Sequence, residues 1–513
     1  MTSVEVRTAY GVVRGRAEQD LAVFRGIPFA QPPVGELRFA APVPPDAWDG
    51  VREADAFGPP PPQSGPAPVH SDVTGDEWLT VNVWSPQSSP SSPSSPSSPS
   101  DGTTEPLPVL VWLQGGAYIS GFSGDPMYDG AGLAREGLVV VTFNYRLGAE
   151  GWARIEGVPD NRGLLDQIAA LEWVRDNIGA FGGDPDRVTV CGESAGAGSI
   201  ATLLAAPPAA GLFRRAIAQS VPGMYCTPAF ATDFTAALAD RLGVAPTVTG
   251  LAAVEPERLA AEIAGFLREM PAHGDRWGRA AYLAAPFSPV VDGVLVPETP
   301  WQALRDGRVN GVELLTGHTR DEFRLFLGMM GLPTFTEEQA DAALHRFAPA
   351  PEGPAAYRAG FPGATPTELF ETVHSDVLFR MPTARLAEAN AAAGGTTYLF
   401  ELTWPAPAMG GALGACHSLD VPLLFGTFDS PGGRLVLGED PGDGARALSA
   451  DIQQAWVAFV KDGSPGWAPY ESTGRLARVF DGKGRADAVA YPEEVSRGIW
   501  ADSEIGPFDL PEK

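Results

Sequence analysis

RVTVCGESAGAGSIATLLAA, residues 187–206, holds a strand, a tight turn and a helix in twenty letters. Arg187–Cys191 is β-branched and apolar, which suits a buried strand. Ala195 onward is a run of small, helix-compatible residues. Between them stands Gly-Glu-Ser-Ala-Gly, residues 192–196, a G-x-S-x-G pattern. The pattern alone is weak: with 60 glycines in 513 residues, chance gives about half a match per chain of this composition. The strand before it and the helix after it make it strong. That order produces a sharp turn that exposes the Ser194 hydroxyl and aims a helix N-terminus at it.

Working outward, the same alternation recurs. Leu107–Leu113 (LPVLVWL) and Leu138–Tyr145 (LVVVTFNY) read as near-continuous apolar strands, a helix is expected over Asn161–Asn177, and Arg215–Gln219 reads as a further strand. Apolar strands alternating with helices indicate a mostly parallel α/β sheet covered on both faces. Val4–Arg16 alternates as short strands or a hairpin, and Trp78–Trp84 is a strand candidate. Residues 24–66 are rich in proline and read as irregular extended chain. Strands resume at Val312–Thr316, Thr397–Leu402 and Leu476–Phe480, with a late helix at Ala447–Lys461. Residues 228–285 and 334–395 read as amphipathic helices, for example 258–269 and 367–390, and are expected to form caps over one end of the sheet. Residues 85–102 are a Ser/Pro repeat that has no apolar side chains to bury. Because the chain on both sides reads as adjacent strands of one sheet, the repeat is expected to be a surface insertion in a single domain spanning 1–513.

A serine nucleophile needs a base, and the base needs an orienting acid. In a strand–turn–helix setting of this kind the chain order is serine, acid, histidine. Of six histidines, His70 and His273 come too early, and His318 sits in the loop that should carry the acid. His345 and His374 fall on expected helices. His417, in the glycine-rich stretch GGALGACHSLD, remains. The acid should follow the strand Val312–Thr316, where GHTRDEF offers Asp321 and Glu322 without deciding between them. Developing negative charge on a substrate oxygen needs backbone N–H donors. Ala195 is one expected donor, and the turn Gln114-Gly115-Gly116-Ala117 after LPVLVWL would supply others.

The charge balance of 36 basic and 63 acidic residues gives −27, which disfavours nucleic acid and anionic membranes as partners. No apolar run approaches the roughly 20 residues of a membrane span, and no secretory signal is visible, so a cytoplasmic location is expected. Three cysteines and six histidines suggest neither a disulfide framework nor a metal site. No cofactor is expected. The expected partner is a small-molecule substrate, and the chain is expected to be a monomer or a weak homo-oligomer.

These residues resemble the type-B carboxylesterase family, which includes cholinesterases and bacterial p-nitrobenzyl-type esterases. FRGIPFAQPPVGELRF (24–39), WLQGGAYISG (112–121), NYRLGAEGW (144–152), the long run 161–199, PVVDG (289–293), GHTRDE (317–322) and CHSLDVPLLFG (416–426) fall in family order. The resemblance implies an α/β-hydrolase fold and hydrolysis of carboxylic esters through an acyl-enzyme. It implies Ser194 as nucleophile, Glu322 as the acid and His417 as the base. It implies Gly116, Ala117 and Ala195 as oxyanion donors, with Glu193 and Ser220 in support. Departures from the family pattern are Ala117 in the QGGA turn, Phe323 after the Asp-Glu pair, Val221 after Ser220, and Trp78 where a disulfide cysteine is common. Leu283 and Ala285 stand where acetylcholinesterases carry acyl-pocket aromatics, which suggests room for acyl groups larger than acetyl. No counterpart of the choline-binding tryptophan is evident in 56–76, so a choline specialist is disfavoured. Short- to medium-chain or bulky aryl and alkyl esters are the expected substrates.

Overall fold

The computed structural model describes residues 2–63, 73–87, 105–283, 287–308, 311–349, 351–484 and 487–511. Among the described residues thirteen strands form one sheet: β1 (Ser3–Arg7), β2 (Val12–Glu18), β3 (Leu21–Pro28), β4 (Val51–Glu53), β5 (Thr80–Pro86), β6 (Leu107–Leu113), β7 (Val139–Phe143), β8 (Gly183–Glu193), β9 (Arg215–Gln219), β10 (Glu313–Thr319), β11 (Thr397–Leu402), β12 (Leu476–Phe480) and β13 (Val489–Ala490). The order across the sheet is β1-β2-β3-β5-β7-β6-β8-β9-β10-β11-β12-β13, with β4 paired to β2. From β7 to β12 every pairing is parallel. The pairs β1–β2, β2–β3, β3–β5, β5–β7 and β12–β13 are antiparallel.

Alternation along the strands explains why both faces are buried. Val109, Val111 and Leu113 of β6 join one hydrophobic core with Val139, Val141 and Phe143 of β7, and with the helices Arg162–Asn177 and Ala195–Ala205. Leu110 and Trp112 point the other way, into a second core with Val140, Ile217, Leu315 and the helix Gly442–Asp462. A strand with two dry faces has no polar side to offer, hence its continuous apolar sequence. The parallel centre leaves the carboxyl ends of β6, β8, β9 and β10 along one edge, where open α/β sheets bind ligands.

Three readings need correction. Residues 21–28, at the start of the proline-rich stretch, form strand β3. Leu21 and Val23 alternate with Ala22 and Phe24 between the two cores, and Pro28 comes last, where its missing N–H matters least. β5 and β6, which flank the Ser/Pro repeat, share the sheet but are not neighbours, because β7 lies between them. The helix expected over 367–390 is split: Pro366–Ser375 and Met381–Ala392 are joined by a π-helical turn, Asp376–Arg380. Of the repeat itself, Ser85 and Pro86 end β5 and Gln87 N–H donates to Asp20 O at 2.8 Å. Residues 88–102 lie outside the described residues. In the two segments expected to cap the sheet, helix Pro228–Leu242 packs on Pro256–Glu269, and Glu337–Phe347 packs on Pro366–Ser375.

Candidate active site

Ser194 sits between β8 and the helix Ala195–Ala205 with φ 57° and ψ −124°. A non-glycine residue held there costs about 1–3 kcal/mol, and the surroundings enforce it. Ser194 N–H donates to Gln219 O at 3.0 Å, and Ser194 O accepts from Gly198 N–H at 2.9 Å. The helix start lies against the end of β6 so closely that a Cβ on Gly196 would come within 2.0 Å of Leu113 O. Ser194 remains partly exposed while Glu193 and Ala195 are buried.

The loop after β10 presents Glu322, fully buried, to the imidazole of His417. Glu322 Oε2 lies 2.5 Å from His417 Nδ1. Its Oε1 accepts from Ser220 Oγ at 2.6 Å and from Thr319 N–H at 2.9 Å. Asp321 turns the other way: it takes Ala415 N–H at 2.8 Å and pairs with Arg320 and Arg324. Asp321 thereby pins the loop that carries His417, and Glu322 alone of the two acids meets the ring. His318 is the last-but-one residue of β10 rather than a loop residue, and its Nε2 bonds Tyr491 OH at 2.7 Å.

The second ring nitrogen of His417 faces a carboxylate. Nε2 is 3.1 Å from Glu193 Oε1, which also accepts from Ser418 Oγ at 2.7 Å. Among the described residues Ser194 Oγ makes no hydrogen bond, so the contact expected between Ser194 and His417 is not formed in the resting site. Catalytic contacts of this kind commonly tighten only when substrate binds, and Glu193 competes for the same nitrogen. Burial alone would lower the His417 pKa, but the Glu193 and Glu322 carboxylates outweigh it and push it up to about 9. Burial likewise works to raise Glu322, and the His417 ring with its hydrogen bonds brings it below the ordinary carboxyl value. Glu193 is raised by burial.

The turn after β6 lies over the serine. A Cβ on Gly115 would meet Glu193 O at 2.9 Å and Ser194 Cβ at 3.1 Å. Ala117 and Tyr118 follow at φ 53° and 61°, so the alanine in the QGGA turn is held in the left-handed region that glycine prefers. Among the described residues the N–H groups of Gly116, Ala117 and Ala195 donate to nothing. Ala195 opens its helix, where N–H groups lack intrahelical partners. The site therefore combines a strained serine, a carboxylate-bound imidazole and unused N–H donors at one sheet edge.

Comparison with known proteins shows the family of the chain. The model of the Carboxylesterase family matches residues 2–354. The para-nitrobenzyl esterase of Bacillus subtilis is 36% identical over 510 residues, covering 94% of this chain and 95% of that protein. The chain belongs to the carboxylesterase family. The phenmedipham hydrolase of Pseudarthrobacter oxydans is also 36% identical, over 95% of this chain and 98% of its own. The crystal structure of a Geobacillus stearothermophilus carboxylesterase superposes with a TM-score of 0.81 at 33% identity, covering 97% of this chain and 99% of that one. The fold is the α/β-hydrolase fold of these neighbours.

Around the imidazole of this carboxylesterase stands an aromatic wall that the sequence did not announce. Phe379 stacks on His417 with ring centroids 4.2 Å apart, and Phe326 lies 5.6 Å away. Phe323 continues the wall, 5.4 Å from Phe326 and stacked on His374 at 4.4 Å. Its N–H donates to Ser375 Oγ, and Val221 N–H donates to Thr383 Oγ1, so both departures from the family pattern are met by side chains from the 334–395 segment. Leu283 is half-buried against the larger core, and Ala285 lies outside the described residues. Cys191, Cys226 and Cys416 are buried and free. Among the described residues no helix is long and apolar enough to cross a membrane.

Proposed function

We propose that this carboxylesterase cleaves neutral short- to medium-chain or bulky aryl and alkyl esters through a Ser194–His417–Glu322 triad. The observation that carries the reading is the 2.5 Å bond from His417 Nδ1 to Glu322, itself fixed by Ser220 and Thr319, at the edge where Ser194 protrudes. Substrate draws Ser194 Oγ toward His417 Nε2, which takes its proton as Oγ attacks the ester carbonyl. Glu322 holds the ring and stabilises the imidazolium. The negative oxygen of the tetrahedral adduct receives the N–H groups of Gly116, Ala117 and Ala195, each worth roughly 100–1,000-fold in rate. His417 returns the proton to the departing alcohol and leaves an acyl-Ser194. Water then repeats the sequence, His417 removing its proton, and the acid is released. The aromatic wall of Phe326 and Phe323 and the small side chain expected at 285 favour apolar substituents, and the −27 charge disfavours anionic ones.

The test is fluorophosphonate labelling beside hydrolysis of p-nitrophenyl butyrate, for the wild type and Ser194→Ala. The wild type should label at Ser194 and turn over, and the variant should fall to the background rate. Near-wild-type turnover by Ser194→Ala would end the proposal.

A further inference from the structure

The π-helical turn has a cause in the sequence. Pro382 lacks the N–H that would bond Leu378 O in a regular helix. That carbonyl instead accepts Gly223 N–H at 2.8 Å, from the loop that also carries Ser220. The turn is anchored on its other side by a buried ion pair. Asp376 Oδ1 accepts from Arg380 Nε at 2.7 Å, and Asp376 Oδ2 accepts from Tyr357 OH at 2.6 Å. Arg380 continues to Arg320 O at 3.1 Å, Ser496 Oγ at 3.0 Å and Glu493 at 3.3 Å. Asp376 and Arg380 are at most 5% exposed at the side chain, so their desolvation is costly and their placement specific. The turn is thus tied to both loops that hold Glu322: the Ser220 loop through Gly223, and the Arg320 loop through Arg380.

An inserted π turn rotates what it carries relative to an unbroken helix. What this one carries toward the site is Phe379, 3% exposed, its ring tilted 27° from the His417 ring at 4.2 Å. We infer that the turn Asp376–Arg380 is a positioning device for His417: Phe379 holds the imidazole in line with Glu322 and offers its π face to the imidazolium formed in the transition state. Phe379 is a positioning residue acting through His417, and the inference rests on the proposed role of His417 as base. A cation over an aromatic face is stabilised by the ring quadrupole. The charged groups acting on the ring come from elsewhere: Glu322 from the loop after β10, Glu193 from the serine turn, and Asp420 from the helix Asp420–Phe425.

The test compares wild type with Phe379→Leu and with pentafluorophenylalanine installed at 379, which keeps the ring's shape and removes its electron-rich face. With p-nitrophenyl butyrate both should lower kcat about 3- to 30-fold with KM within about 2-fold. Both should also move the acid limb of the kcat/KM pH profile to lower pH, because a less stabilised imidazolium gives up its proton sooner. A packing role alone would leave that limb in place. An unchanged kcat and acid limb in the pentafluoro enzyme overturns the inference, and this variant decides the matter even if Phe379→Leu fails to fold. His417→Ala separates the two readings: wild-type turnover by that variant would remove the base itself, whereas an inactive His417→Ala beside an unaffected pentafluoro enzyme removes only the role of the turn.

Discussion

Glu193 is the carboxylate that meets the outward nitrogen of the His417 ring, and it sets when that nitrogen is free to act. At 3.1 Å it favours the protonated ring, so at neutral pH the proposed base must first lose a proton to be useful. Activity is therefore expected to rise with pH from about 6.5 toward about 9 as His417 titrates. Glu193→Gln removes the charge that faces Nε2 and should shift the acid limb of kcat/KM down by about one unit or more. The limb staying in place would show that Glu193 does not bear on the base. Glu322→Gln should cost far more, because the amide cannot hold the proton-bearing Nδ1 and stabilise the cation together. At this scale Ser194 was legible from its turn, and His417 from chain order. The choice between Asp321 and Glu322 was not legible from the residues themselves, because adjacent side chains diverge and only the folded loop selects which meets the ring. Ser418 and Phe379 carried no signal, since their roles arise from contacts across the chain.

The elements that carry these residues are held at fixed separations by the sheet. The helix after Ser194 can approach β6 only because residue 196 has no side chain. Gly196→Ala would drive a methyl into Leu113 O, and it should abolish fluorophosphonate labelling with a clear loss in Tm. The connection between β5 and β6 tolerates more. The two strands run in opposite directions on either side of β7, so the end of β5 and the start of β6 share the amino edge of the parallel sheet. Two strand spacings put them about 10 Å apart. Replacing 88–104 by a short Gly/Ser linker should leave Tm and kcat within error, and a large loss of either would show that the repeat has a structural task. The strands and the serine turn were legible because dry-faced strands have nearly uninterrupted apolar sequences. β3 was masked by the prolines after it, and the neighbour relation of β5 and β6 could not be read, because the chain gives strand identity but not strand order. The π turn was hidden by an amphipathic pattern that an ordinary helix fits equally well.

For the whole molecule, several buried groups bind protons more tightly folded than unfolded, among them Asp420, Glu371, Glu401 and His417. Burial, helped by Glu193, pushes Asp420 up to about 7. Burial, partly offset by the Ser375 hydrogen bond, pushes Glu371 to about 7, and His417 reaches about 9. Through the two acids stability falls as pH rises from about 4 to 7, and through His417 from about 6.5 to 9, while His374, pushed down to about 4 by burial, opposes the fall between about 4 and 6.5. Repulsion within the −27 charge adds to the fall. Tm should therefore decline from about pH 7 toward pH 9, where turnover increases, and a Tm that climbs across that range would contradict the proton count. The parts of the site come from Gly116, Ser194, Ser220, Glu322, Phe379 and His417, scattered over most of the chain and brought together by non-local contacts. No early, locally folded intermediate can hold them together, because contacts so distant in sequence close late. During refolding, capture by a fluorophosphonate should lag the recovery of far-ultraviolet circular dichroism, and the reagent becomes a covalent stopwatch that counts only molecules in which the last strand has docked.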